Sequence, residues 1–271
     1  MGEKFGKGSN LVSKEEAEYA RYLKENFYDA VNNNSPKVNP RTSFYTKYGK
    51  RMLDLIISIP VFLLLLPLNL IFAICTFCDV GRPIFYKQQR IGLDGKPFTL
   101  VKFRNMNEKR DAEGNLLPAS ERVTKFGRFM RKLSLDELLN FWSVIKGEMS
   151  IIGPRPLPAF FHQRMTERHN ARVNVRPGLE CPRMISITEE ETGYYHVQFE
   201  NDIWYVENIS FLTDLKMLFG LVRMVFDTKD RTKHANVNVG GSYFVGYNEE
   251  GIALSLRLAK EQYPHVSEKQ V

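Results

Sequence analysis

Two adjacent acids, Asp136 and Glu137, carry the first suggestion of chemistry in the sequence. They stand in Ser134-Leu135-Asp136-Glu137, ahead of the apolar residues Leu138, Leu139, Phe141, Trp142 and Ile145, which predict a helix. The Ser134 to Glu137 spacing is that of a capping box, in which the acids do no more than stabilise the helix end. The alternative comes from the residues before them. Arg122, Lys125, Arg128, Arg131 and Lys132 recur at helical spacing with no acid among them, and a helix amino terminus beside such a face attracts phosphate through its unpaired N–H groups. A carboxylate placed there can attack phosphorus, provided cations screen its charge from the incoming phosphate.

A second candidate is Gly153-Pro154-Arg155-Pro156, a turn that holds one arginine between two prolines. A fixed guanidinium fork suits bidentate binding of a diphosphate, although a turn with an exposed arginine is the simpler reading of the motif alone. Other chemistries fail. Cys75 and Cys78 have metal-ligand spacing but lie in an apolar run without a second pair. The five histidines show no metal-binding spacing, and neither a Walker loop nor a dinucleotide-binding glycine fingerprint occurs.

The elements that must position these residues begin with an apolar segment. No charged residue occurs between Asp54 and Asp79; roughly 24 residues of helix would be about 36 Å long, enough to cross a hydrocarbon core. Pro60 and Pro67 interrupt it, and each removes a backbone donor and clashes with the preceding turn, which favours two half-bilayer arms over one straight span. Lys47, Lys50 and Arg51 precede the segment, and Arg82, Lys87 and Arg90 follow it. Positive residues prefer the cytoplasmic side, so basic flanks at both ends predict a re-entrant hairpin; a kinked span is the alternative.

Beyond it, Ile84 to Arg90 and Pro97 to Arg104 read as a β-hairpin turning at Asp94-Gly95. The basic stretch from Arg122 to Lys132, with Phe126, Phe129, Met130 and Leu133, has the pattern of a helix on an anionic interface, or of a solvated basic face. Phe211 to Phe226 is too short to span comfortably and predicts a buried or interfacial helix. Ahead of the apolar segment, Ser13 and Glu16 have capping-box spacing before a weak helical face of Ala17, Ala20, Leu23 and Phe27, expected to be a surface helix, and Asn32 to Pro40 reads as linker. The organisation is thus an accessory segment (1–43), a re-entrant membrane hairpin (44–80), a catalytic domain (81–227) and a carboxy-terminal extension (228–271) with a linker around Gly241 and a short helix.

Composition sets outer bounds. With 271 residues, 25% charged and 43% hydrophobic, the chain has the make-up of one or two folded domains, which excludes a wholly disordered or many-pass membrane protein. The balance of 38 basic to 31 acidic residues, a net charge of +7, points to anionic partners. Three cysteines cannot make a disulfide framework and favour a reducing compartment, and the polar first thirty residues do not read as a signal peptide.

Taken in order, these motifs resemble the monotopic bacterial phosphoglycosyl transferases, often described simply as bacterial sugar transferases. The resemblance runs from about Lys50 to Phe226. It is carried by Lys50-Arg51 before Asp54, the proline-broken apolar arm, Arg90-Ile-Gly92, Lys102-Phe-Arg104, Arg131-Lys-Leu-Ser-Leu-Asp136-Glu137, Lys146 through Pro156, Val175-Arg-Pro-Gly178, and Asp202 through Asp214. It implies transfer of a sugar 1-phosphate from a UDP-sugar to polyprenyl, normally undecaprenyl, phosphate, on the cytoplasmic face of the bacterial inner membrane. It further implies that Asp136 is the nucleophile of a covalent phosphosugar intermediate and that Glu137 helps hold Mg²⁺. By position, Lys102, Arg104, Arg131, Arg155, Arg176, Asp202 and Asp214 fall among the polar residues around the substrate. Two departures stand out: the Ser-Pro at the membrane bend is here Leu66-Pro67, and the loop after Gly178 reads Leu179-Glu-Cys-Pro-Arg183 where many members have Thr-Gly-Trp-Ala-Gln.

The fold class expected is therefore α/β, a compact membrane-anchored catalytic domain with a re-entrant helical hairpin and interfacial helices. Homo-oligomerisation is left open. The rival reading is a noncatalytic membrane scaffold of a glycan-assembly complex with the acids serving only as caps. A nucleic-acid-binding module would explain the charge but not the apolar segment, and no nucleic acid is expected as a partner.

Overall fold

The computed structural model describes residues 13–226 and 243–266. The sequence folds into helices around three two-stranded sheets rather than one continuous sheet. In chain order the elements are α1 (Lys14–Asn34), α2 (Lys50–Val80, preceded by a wide helical turn at Tyr45–Gly49), β1 (Phe85–Ile91), β2 (Pro97–Phe103), α3 (Ala119–Arg122), α4 (Lys125–Lys132), α5 (Asn140–Lys146), β3 (Ser150–Ile152), α6 (Ala159–His162), α7 (Glu167–Asn170), β4 (Gly178–Glu180), α8 (Glu189–Thr192), α9 (Tyr194–Asn208), α10 (Phe211–Phe226), β5 (Phe244–Tyr247), β6 (Ala253–Ser255) and α11 (Leu256–Gln262).

The hairpin expected at Asp94-Gly95 forms: β1 and β2 pair antiparallel from Phe85 opposite Phe103 to Ile91 opposite Pro97. Asp94 and Gly95 both adopt positive φ, as the reversal requires. β3 and β4 pair in parallel, and here two motif glycines are obligatory. A Cβ on Gly178 would lie 2.2 Å from the Gly153 nitrogen, and one on Gly153 would lie 2.5 Å from the Arg176 carbonyl oxygen. The Gly-Pro-Arg-Pro and Arg-Pro-Gly motifs thus cross backbone against backbone, which fixes where Arg155 emerges. Around this crossing, Leu100, Val144, Met149, Ile151, Ile152, Tyr205 and Met217 form the main core.

α2 contains both Pro60 and Pro67, and Leu66 lies beside the second. The expected two arms therefore belong to one helix, and any bend is a kink within it rather than a loop between two helices. With the preceding turn it is long and apolar enough to cross a membrane. One face of its middle is exposed, Leu64 being 79% exposed, while Phe62 on another face packs against Trp142 of α5 (ring centroids 5.5 Å apart). Its two ends are tied to the same globular body. At the start, Arg51 donates to the carbonyls of Val144 (2.6 Å) and Ile145 (2.7 Å), the free carboxy-terminal end of α5. Asp54 accepts from Ser150 Oγ (2.9 Å) and the Ile151 amide (3.0 Å). At the far end Phe72 packs edge-on against Phe103, Thr124 Oγ1 donates to Asp79 (2.6 Å), and Arg104 donates to the Val80 carbonyl.

α1 is capped by Ser13, whose hydroxyl accepts from the Glu16 amide (3.0 Å). The other half of the capping box is not made. The Glu16 carboxylate is drawn instead to Arg164 (2.9 Å), which also donates to the Phe244 carbonyl (2.7 Å). Nor is α1 the isolated surface helix its weak face suggests. Tyr19 and Leu23 are buried with Val245, Leu254 and Ala259, so the two segments outside the central domain pack as one layer. The Gly241 linker lies outside the described residues; the expected short helix is α11.

One charged contact closes this architecture. Lys50 Nζ lies 2.8 Å from Asp214 Oδ2, with side chains only 9% and 1% exposed, and the hydroxyls of Tyr45 and Tyr205 also donate to Asp214. Removing one partner of a buried pair strands the other charge, at a cost of about 3–5 kcal/mol. Asp214→Ala should lower unfolding stability by that order, measured by urea titration of the detergent-solubilised protein.

Candidate active site

The segment before the acids folds differently from the expected capped helix. Ser134 adopts a left-handed conformation, φ 54°, and makes no side-chain cap; Leu135–Glu137 is a single tight turn, and α5 begins only at Asn140. A non-glycine residue at positive φ costs energy and marks a constrained turn. Its consequence is that Glu137 is not a capping residue. Its Oε1 accepts from Lys102 Nζ (2.5 Å) on β2 and from Arg155 (2.9 Å) on the 153–156 turn.

Asp136 points to different surroundings. It is 6% exposed, and its Oδ2 accepts from the Asn105 amide (3.0 Å). Asn105 is oriented in turn by Arg131, whose Nε donates to its Oδ1 (3.1 Å). Gly127 permits this arrangement: a Cβ there would lie 2.1 Å from the Asn105 carbonyl oxygen, so α4 can press its amino-terminal turn onto the strand exit. Asn105 was not among the sequence candidates; its only signal was its place directly after Lys102-Phe-Arg104.

Electrostatics separates the two acids. Burial pushes the Asp136 carboxyl above the usual carboxylate value, with Lys102 opposing the shift and Glu137 adding to it. Burial also disfavours the charge on Glu137, but Arg155, Lys102 and Arg90 together outweigh it and bring the group down to about 2. The pair thus holds one firmly ionised carboxylate and one whose charge is poorly compensated, the kind of split that assigns two neighbouring acids different tasks. Arg90 closes the small pocket over Glu137 together with Lys102, Arg155, Leu100 and Leu179. Burial and the charge of Arg155 lower Arg90 to about 10, still far above neutral pH.

Four of the sequence candidates are engaged elsewhere. Arg104 secures the end of α2. Arg176 donates to the Gly147 carbonyl (3.0 Å), so together with Arg51 it covers the carboxy-terminal end of α5. Asp214 belongs to the Lys50 contact. Asp202 is 1% exposed and paired with Arg172 at 2.6 Å, beneath a neighbouring cleft that Arg155 shares. The residues brought together at the acidic pair are Lys102, Arg131 and Arg155, with Asn105 and Arg90 added by the structure.

Among the described residues no group of three or more His, Cys, Asp or Glu side chains is arranged to hold a metal ion. Mg²⁺ seldom needs one: it binds through one or two carboxylates, phosphate oxygens and water. Glu137, in a pocket lined by Arg90, Lys102 and Arg155, fits a metal that would arrive with a diphosphate, and is the carboxylate that would hold it.

Fold and site together define a domain with one long, exposed apolar helix and a buried carboxylate beside a cluster of basic side chains. Residues 45–228 match the bacterial sugar transferase family, and the chain belongs to it. It is 47% identical over 146 residues to the uncharacterised sugar transferase EpsL of Bacillus subtilis, covering 54% of this chain and 71% of that protein. It is 33% identical over 197 residues to the UDP-galactose-lipid carrier transferase of Erwinia amylovora, covering 66% of this chain and 41% of the other. It is 32% identical over 179 residues to the UDP-glucose:undecaprenyl-phosphate glucose-1-phosphate transferase of Klebsiella pneumoniae, covering 63% and 38%. The chain therefore spans most of EpsL but only about four-tenths of the two larger relatives. The resemblance drawn from the motifs is borne out at the level of the family.

The raised Asp136 value has a signed consequence for stability. A carboxyl whose folded value lies above its unfolded one is destabilising when ionised, so the cost is absent at low pH and sets in as pH rises through the unfolded value, 3.8, to the folded one. Asp136→Asn removes the charge while its amide oxygen can still accept from Asn105. The variant should melt no lower than the parent near pH 7 and show a gain that shrinks toward pH 4, as followed by thermal unfolding across that range (about 4 to 7).

Proposed function

We propose that this protein transfers a sugar 1-phosphate from a UDP-sugar to a polyprenyl phosphate, normally undecaprenyl phosphate, through a covalent intermediate on Asp136, and so begins assembly of a bacterial surface glycan. The observation that carries this reading is the contrast within the acidic pair. Asp136 keeps a carboxylate that accepts from the neutral amide of Asn105, while the neighbouring Glu137 is held by two cations.

In the first step an Asp136 oxygen attacks the phosphorus that bears the sugar. A P–O bond forms, the bond to the UMP oxygen breaks, and UMP leaves. In the second, an oxygen of the lipid phosphate attacks the same phosphorus, and the acyl phosphate bond breaks to restore the carboxylate. The product is a polyprenyl diphosphate sugar. Lys102, Arg155 and Arg90 surround the diphosphate with fixed positive charge, and Arg131 acts through Asn105 to orient the nucleophile. Mg²⁺, when bound at Glu137, supplies further charge neutralisation on the departing phosphate. The two-step scheme implies ping-pong kinetics.

The acceptor headgroup must reach this site from a membrane. Both ends of α2 are tied to one globular body while its middle is apolar and exposed, and this supports a re-entrant anchor that enters and leaves on the cytoplasmic side, bent at Pro60 and Pro67. The names of the two larger relatives, a lipid carrier transferase and an undecaprenyl-phosphate glucose-1-phosphate transferase, support the donor and acceptor classes.

Asp136→Asn should abolish UMP release from a panel of UDP-sugars in the presence of undecaprenyl phosphate and Mg²⁺. Intact-mass analysis of the parent given donor alone should show a phosphosugar adduct at Asp136; an adduct elsewhere would overturn the assignment. Glu137→Gln should lower the rate and weaken its dependence on Mg²⁺, because an amide oxygen is a poorer ligand for a hard cation. For topology, single cysteines at Lys47 and Lys87, in a chain with Cys75, Cys78 and Cys181 replaced, should both resist a membrane-impermeant thiol reagent until cells are permeabilised. Labelling of the Lys47 site alone from outside would establish a spanning helix.

A further inference from the structure

A cleft of about 1030 Å³ adjoins the acidic pair, and nothing in the scheme above uses it. The junction between the two is Arg155, which lines both the small pocket over Glu137 and this cleft. Its guanidinium meets Glu137 on one side (2.9 Å) and Glu180 on the other (3.4 Å). A ligand whose phosphates sit at the acidic pair would therefore meet the cleft on the far side of this guanidinium.

One wall is the loop after Gly178, at the point where the sequence departs from Thr-Gly-Trp-Ala-Gln. Asn201, 4% exposed, shapes that loop by donating to the Cys181 and Pro182 carbonyls (3.2 and 3.3 Å) and accepting from the Met184 amide (2.8 Å). The opposite wall is the segment from Ile252 to Gln262, beyond the residues matched to the family. It is closely seated: a Cβ on Gly193 would lie 2.6 Å from Leu258 Cδ1. The cleft is of the size of ordinary ligand sites.

Glu180, Glu189 and Glu190 stand in the cleft with Gln198, Asn201 and Gln262, and arginines are interleaved with the acids: Arg155 meets Glu180 (3.4 Å) and Arg183 meets Glu189 (3.2 Å), with Arg223 and Arg257 also on the lining. Carboxylates accept hydrogen bonds from hydroxyl groups, guanidinium groups donate them, and amides do both. That set suits a neutral polyhydroxylated ring. Resting on the transferase reading above, we propose that the cleft receives the sugar ring of the donor, and that Gln198 on α9 and Gln262 at the end of α11, which both line it, are specificity-determining residues. The carboxy-terminal extension is then part of donor selection.

The test uses the full chain in lipid nanodiscs with undecaprenyl phosphate and Mg²⁺, and compares UDP-glucose, UDP-galactose, UDP-N-acetylglucosamine and UDP-N-acetylgalactosamine by UMP release. Gln198→Ala and Gln262→Ala should each change the ratio of kcat/KM between the two best donors by roughly 3- to 10-fold, the value of one lost neutral hydrogen bond. KM for undecaprenyl phosphate and inhibition by UMP should stay unchanged. Gln198→Glu, which keeps the side-chain shape and removes its donors, should also move the ratio, and thermal unfolding identifies any variant that merely misfolds. Unchanged donor ratios in folded variants would overturn the inference while leaving the transferase reading intact. Weaker UMP inhibition with unchanged ratios would assign the cleft to the nucleotide and overturn it too. A parent that releases UMP from none of the four donors, nor from any other UDP-sugar, would overturn the transferase reading and this inference with it.

Discussion

The site depends on a carboxylate held by two cations from separate parts of the fold. Glu137 is joined by Lys102 from the second strand of the β1–β2 hairpin and by Arg155 from the turn after β3. Bringing a charge out of water is costly unless partners meet it with good geometry. That cost is what forces the hairpin, the tight turn at Leu135–Glu137 and the Gly153–Gly178 crossing to arrive together. Each partner is supplied by an element with little freedom of its own: a strand in fixed register, and an arginine bracketed by prolines. With Glu137 satisfied, the adjacent Asp136 is left as the member whose charge is less fully compensated. It lies under the same electrostatic roof with no ion-pair partner within salt-bridge distance among the described residues, and a neutral Asn105 to orient it.

The second constraint is the attachment of α2. Arg51 and Arg176 cover the end of α5, Asp54 holds β3, and Lys50 reaches Asp214 on α10. These contacts use charged residues as structural fasteners at the point where the apolar helix leaves the domain. They explain why several residues that look like a phosphate-binding set in the sequence do not face the acids. In a list of positions, a basic residue that caps a helix end and one that meets a phosphate are indistinguishable; only the partner tells them apart.

Local signals were legible from sequence because they are settled within a few residues: the Asp94-Gly95 reversal, the Ser13 cap, the helix from Phe211, the acidic pair before an apolar run. What was hidden depends on distant partners. Glu16 has the spacing of a capping box but pairs with Arg164, and the Tyr19 hydroxyl donates to the carbonyl of Tyr263 at the other end of the chain (3.2 Å). The terminal segments therefore read as separate accessories although they form one layer. Ser134 failed in the opposite sense. Its local pattern promised a cap, and tertiary demand for Glu137 at Lys102 and Arg155 imposed a left-handed turn instead.

The distribution of apolar surface follows from the same arrangement. Leu63, Leu64, Leu70 and Ile74 on α2 and Phe211, Leu212, Phe219 and Val222 on α10 are all more than half exposed. Patches of that extent on a protein surrounded by water invite aggregation. Yet Lys50, Asp54 and Asp214 on these two helices are turned inward and hydrogen-bonded, while Asp79, Lys216 and Arg223 stay exposed. Buried charges beneath an exposed apolar face are the pattern expected where the outer medium is lipid. The fasteners then serve two ends at once, because the contacts that bury Lys50, Asp54 and Asp214 also fix the apolar faces relative to the acidic pair. On the proposed reading, in which a lipid-borne phosphate approaches Asp136, that relation must be rigid, and one set of contacts would then serve both anchoring and phosphate chemistry.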